Sequence, residues 1–86
     1  MSLFGFGKKY DDGKIEVLAA ETAGDNPIMQ KYIKNIKIKS EKGVVTLEGA
    51  VDSEKVKKQI EKNINEKLTK SRIDFKSIEN KLEVEE

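Results

Sequence analysis

The chain has 86 residues, with 17 lysines and arginines against 16 acids, and it contains neither histidine nor cysteine. That length suits one small domain. The balanced charge gives no electrostatic case for nucleic acid, and the two missing residue types remove disulfides, thiol chemistry, zinc–thiolate sites and the commonest general base. Hydrophobic residues make up 36% and charged residues 38%, so stability is expected to be modest, yet the apolar positions recur periodically as they do in folded chains.

Residues 1–13, MSLFGFGKKYDDG, form a leader rich in glycine and aromatics. Two readings stand. Phe4 and Phe6 either pack back onto the domain or fray with the terminus; alternatively they enter a headgroup region with Lys8 and Lys9 beside anionic lipid. Gly5 and the two lysines interrupt any secretory-signal pattern, and no window approaches the ~18 apolar residues of a membrane span. Taken as the native start, this segment leads to the expectation of a cytoplasmic protein.

Residues 14–23, KIEVLAAETA, carry Ile15, Leu18, Ala19 and Thr22 at helical spacing. Asp11 and Asp12 suit a helix start, and Gly24 stands where a C-terminal stop belongs. The stretch GDNP then breaks the chain, with Asp25 or Asn26 able to cap a new turn and Pro27 in its first position. IMQKYIKN adds a turn or two with Ile28, Met29, Tyr32 and Ile33 inward; two helices and one bent helix both fit.

Residues 35–40, NIKIKS, alternate Ile36 and Ile38 against Lys37 and Lys39, which is strand spacing. EKG turns the chain, with Gly43 supplying the positive φ of a tight hairpin. VVTLEGAV (44–51) continues the alternation with Val45 and Leu47 inward. A helix starts at Asp52 or Ser53; with Asp52 as the cap, Val51 and Val56 form a hydrophobic staple. Val56, Ile60, Ile64 and Leu68 recur every fourth residue and can cover a sheet face. RIDFKSIENKLEVEE reads as a last strand with Ile78, Asn80, Leu82 and Val84 in one phase. Ile73 and Phe75 are in the other, so a bend is expected near Lys76 and Ser77.

The expected architecture is one α+β domain over residues 14–86, in the order α-β-β-α-β. A three-stranded mixed sheet carries helices on one face, and the last strand returns by a crossover. The open face is lysine-rich on its first strand, and the sheet edges are available to another chain.

The run IKIKSEKGVVTLEGAVDSEKVKKQIEKNI, followed by FKSIENKLEV, resembles the BON domain family. Gly43, Val45, Thr46, Leu47, Gly49, Val51, Ile78, Asn80, Leu82 and Val84 fit its pattern, over about residues 14–84. Where the family has Gly-Val before the last strand, this chain has Asp74-Phe75. The start, MSLFGFGKK, is similar to the leader of potassium-binding members that join a BON domain to a LysM domain, although no LysM segment is present here. That likeness implies K⁺ binding or sensing through backbone carbonyls in a stress-response setting. It points to the leader around Gly7, Tyr10 and Asp12 and to the turn around Asp74, Lys76 and Ser77. Such a cage needs several neutral oxygens and no particular side chain.

Three residues carry structural expectations. Gly43 serves the hairpin. Gly49 allows either the close approach of a ligand or another stretch of chain to bare backbone, or a bulge or room for a helix to cross. Asn80, in phase with core residues, either orients a loop or sits at a wet sheet margin. Carboxylates such as Asp11, Glu83 and Glu85 lack recognisable catalytic partners, so the expected function is a non-enzymatic binding module without a cofactor. K⁺ is its most specific ligand. A phospholipid surface met by Phe4, Phe6, Lys8 and Lys9, or a protein partner at a sheet edge, is the alternative.

Overall fold

The computed structural model describes residues 9–85. Its first helix, α1, spans Asp12–Asp25, and the Asp11 carboxylate caps it by accepting the Lys14 N–H at 3.1 Å. The helix thus begins ahead of the expected boundary at residue 14, and Asp12 and Gly13 belong to the domain. It also runs through Gly24, the expected stop. The chain leaves the helix only at Asn26, whose extended backbone (φ −149, ψ 126) breaks the helical path. The Asn26 side chain accepts the Ile28 N–H at 2.9 Å and so caps α2, Pro27–Tyr32, with proline at its first turn. The question left open by the sequence resolves to two helices parted by one extended residue. A single 3₁₀ turn, Ile33–Asn35, then feeds the sheet.

Strands β1 (Ile36–Glu41) and β2 (Val44–Val51) are antiparallel, with Glu41 paired to Val44. Lys42 (φ 51) and Gly43 (φ 83) are the two residues between them, which is the type I′ hairpin turn. Lysine is strained in that left-handed position, whereas asparagine tolerates it. Lys42→Asn is therefore expected to raise stability by about 0.5–1 kcal/mol, read as a higher urea midpoint at an unchanged slope.

Helix α3, Glu54–Lys70, is capped by Ser53, whose hydroxyl accepts the Val56 N–H at 3.3 Å. Asp52 is not the cap, so Val51 and Val56 stand one position out of step for a staple, although both pack with the core. The helix ends in a Schellman motif: Arg72 N–H donates to Thr69 at 3.1 Å and Ile73 N–H to Leu68 at 3.3 Å. Arg72 takes the left-handed position (φ 57) that glycine usually fills.

The last strand differs from expectation. Residues 71–76 are not strand, and the extended segment divides into β3 (Ser77–Asn80) and β4 (Glu83–Val84), both parallel to β2. The break falls at Lys81–Leu82 rather than at Lys76–Ser77. Its cause lies in the partner strand. β3 pairs with residues up to Leu47 and β4 begins at Ala50, and between them β2 is deformed at Gly49 (φ 137). A strand following β2 must break where β2 does.

The α+β class, the mixed sheet and the helices on one face are as expected. Ile15 and Ala19 from α1, Met29 from α2, Val45 and Leu47 from β2, and Ile60, Ile64 and Leu68 from α3 are fully buried. Each large aliphatic side chain so buried contributes about 1.5–3 kcal/mol relative to exposure. The opposite sheet face carries the exposed Lys37, Lys39, Glu48, Glu79 and Glu83.

Candidate functional site

Three stretches meet at one pole of the sheet: the approach to α1, the β1–β2 turn and the approach to β3. The Asp12 carboxylate, half-buried in the first turn of α1, reaches the hairpin. Its Oδ1 accepts the Ser40 hydroxyl at 2.6 Å and the Gly43 N–H at 3.0 Å, and its Oδ2 accepts the Lys42 N–H at 2.9 Å. The Tyr10 ring lies over Gly43 so closely that an added Cβ would stand 2.7 Å from it. The Gly43 carbonyl in turn accepts the Lys76 N–H at 2.7 Å and, more weakly, the Ser77 N–H at 3.4 Å. Gly43 is thus where the chain start, the hairpin and the last strand converge. Its use is wider than the turn geometry for which the sequence singled it out.

Of the residues expected at a potassium site, Tyr10, Asp12, Lys76 and Ser77 come together around Gly43. Asp74 lines a shallow cleft beside them with Lys9, Asp11, Lys14 and Arg72. Gly7 lies outside the described residues, as do Phe4, Phe6 and Lys8 of the expected lipid-facing set; Lys9 is exposed. The cleft mixes both signs of charge, and among the described residues no cluster of acids is arranged to hold a metal ion.

The hydrogen bond from Ser40, then that from Gly43, hold the Asp12 carboxyl below its ordinary pKa; burial opposes them and the Lys42 N–H adds to them. A carboxylate stabilised in the folded state contributes stability above its unfolded value, near 3.9. That contribution disappears as pH falls through the lower folded value. Asp12→Asn is therefore expected to lower the melting temperature at neutral pH and to shrink the acid-induced loss below about pH 4, compared by thermal melts from pH 7 downward.

Gly49 and Asn80 lie away from this pole. A Cβ at Gly49 would collide with the Asn35 carbonyl oxygen, so the glycine admits another stretch of backbone, the close approach of chain that was one of its expected roles. Asn80 donates to the Lys57 carbonyl at 2.9 Å and to Glu61 at 3.1 Å, and accepts the Leu82 N–H at 3.2 Å. It orients the β3–β4 break, the first of its two expected roles.

Several polar ties gave no signal as separate residues. Glu16 accepts the Ser40 N–H at 2.8 Å, which seals part of the outer edge of β1. Tyr32 donates its hydroxyl to Asp52 at 2.6 Å, joining α2 to the start of α3. That bond, with burial second, pushes the phenol above its ordinary pKa. Lys67 bridges Asp25 at 3.0 Å and Glu21 at 3.7 Å. A second aspartate beside the Asp11 cap was the one available hint, since a cap needs only one.

No family model matches the chain, and no curated protein matches it. Among the described residues, no helix is long and apolar enough to cross a membrane.

Proposed function

We propose that the chain is a non-enzymatic binding module of BON type, and that the pole around Gly43 holds a K⁺ ion through backbone carbonyls. One observation carries this reading. Two pairs of residues singled out by the likeness to potassium-binding members, Tyr10 with Asp12 and Lys76 with Ser77, come from distant parts of the sequence and assemble around one glycine. The three stretches that meet there supply backbone outside the helices and, for the most part, outside the strand ladders. Such backbone is the source of neutral oxygens that a weakly hydrated monovalent ion requires. Asp12 acts as a brace: by taking up the Lys42 and Gly43 N–H groups, it fixes the turn that the other two stretches contact.

The test is the melting temperature in KCl against NaCl at equal ionic strength. A ligand that binds only the folded state stabilises by mass action, about 2.7 kcal/mol at one hundred times its Kd. For a domain of this size that is a rise of roughly 10–20 °C in potassium alone. Equal melting in the two salts removes the K⁺ reading and leaves the binding module without its ligand.

A further inference from the structure

The two edges of the sheet carry opposite charge patterns. Strand β1 is one edge: it pairs with β2, and among the described residues no strand lies beyond it. In an antiparallel ladder alternate residues turn their backbone groups outward. Ser40 is one of these, and its N–H is sealed by Glu16. Ile38 and the Ile36 carbonyl, in the same phase, therefore face the outer edge. Beside them stand the exposed Lys34, Lys37 and Lys39, with Glu41 as the one exposed acid of the strand. The opposite edge, β3 and β4, carries the exposed Glu79, Glu83 and Glu85, with Lys81 between them. The sequence patterns are complementary: IKIK at residues 36–39 of β1, and LEVE at residues 82–85, of which Glu83–Val84 form β4, each alternate aliphatic with charged residues.

We propose that these edges are the two halves of one interface, by which copies of this chain associate head to tail. β1 runs antiparallel to β2, whereas β3 and β4 run parallel to it. A second copy displaced sideways without being turned over therefore brings its β3–β4 edge antiparallel to β1. The sheet continues across the junction, the helices stay on one side, and the lysines of one copy face the glutamates of the next. The symmetric alternatives are disfavoured: β1 against β1 sets lysines opposite lysines, and the glutamate edge against itself does the same with carboxylates. A head-to-tail contact of this kind uses different surfaces on the two copies and grows into rings or filaments rather than closing as a two-fold dimer. It uses neither the Gly43 pole nor any ion bound there.

The experiment is sedimentation equilibrium on the full chain at about 0.01 M and about 1 M salt, where charges act over ~30 Å and ~3 Å respectively. Association is expected at low salt and its loss at high salt. Two charge variants carry the test further. Lys37→Gln with Lys39→Glu makes the first edge acidic without placing a new carboxylate opposite Glu48, the cross-strand partner of Lys37. Glu83→Lys with Glu85→Lys makes the second edge basic. Each variant alone is expected to stay monomeric, and an equimolar mixture is expected to associate. Circular dichroism confirms that each remains folded; Lys39→Ala and Glu83→Ala serve in place of either reversal that unfolds, each weakening association of the otherwise native chain. A wild-type chain that stays monomeric at low salt up to millimolar concentration overturns the proposal, as does association unaffected by both variants.

Discussion

Gly49→Ala is expected to destabilise the domain by about 2–6 kcal/mol. Two effects add. The φ of 137 at Gly49 lies where a side chain is strained, and such a residue costs about 1–3 kcal/mol. The new methyl group also meets the Asn35 carbonyl, a main-chain atom at the junction between the 3₁₀ turn and β1, which cannot swing aside as a side chain would. Overpacking of that kind costs about 1–3 kcal/mol more. Against a total of roughly 4–13 kcal/mol for a chain of 86 residues, the variant loses a large share of its stability and in the worst case does not fold at all. Gly24→Ala is the control. It lies inside α1 with nothing within 4 Å of an added Cβ, and is expected to gain about 0.5–1 kcal/mol. Urea unfolding of the two variants separates a requirement for bare backbone from a general intolerance of change. A Gly49→Ala midpoint close to that of the wild type means that Asn35 and β1 can move, and the account of the break in the last strand fails with it.

That break shows where reading the chain in one dimension stops. Hairpin, helix and core stripe were legible because each repeats on a fixed period: Ile36 and Ile38 against Lys37 and Lys39, then Ile60, Ile64 and Leu68 along α3. The last strand also has a period, but its interruption is dictated by Gly49, about 30 residues upstream in another strand. The phase change at Ile73 and Phe75 was visible but belonged to the loop after the Schellman turn, and both side chains pack against the core from there. The pole around Gly43 was not legible in the chain's periodicity, because its parts are an aromatic face, backbone N–H donors and a carbonyl. None of these has a sequence signature. Asp12 looked like a helix-start acid, which it is, but its long-range partners at residues 40–43 depend on how α1 crosses the hairpin. The strained Lys42 and Arg72 were invisible for a related reason: the turn and the helix end demand positive φ by position, and the residues present there do not advertise it.

Asn80→Ala is expected to cost about 2–3 kcal/mol, which is large for one half-buried polar side chain. The loss is unequal on its two sides. The Lys57 carbonyl lies inside α3 and keeps its helical partner, and Glu61 turns to water, so losing the amide donor costs little there. The Leu82 N–H loses its acceptor while the Leu82 side chain stays fixed in the core, and an orphaned donor at such a place carries the full desolvation penalty. Asn80→Asp separates the two halves. It keeps an acceptor for Leu82 but sets a carboxylate against Glu61 and a carbonyl oxygen. The new carboxyl is then held above its unfolded pKa, so the stability tied to its protonated form is present at low pH and lost as pH rises through the folded value. At neutral pH this variant is expected to melt below Asn80→Ala, and near pH 4 to recover above it. Hydrogen exchange at the Leu82 amide supplies the local readout: strong protection in the wild type, retained in the aspartate variant at acid pH and lost in the alanine variant. If the alanine variant stays within about 0.5 kcal/mol of wild type with Leu82 still protected, the kink is held by the β2 pairings on either side, Lys81 to Leu47 and Glu85 to Val51, and Asn80 only occupies it.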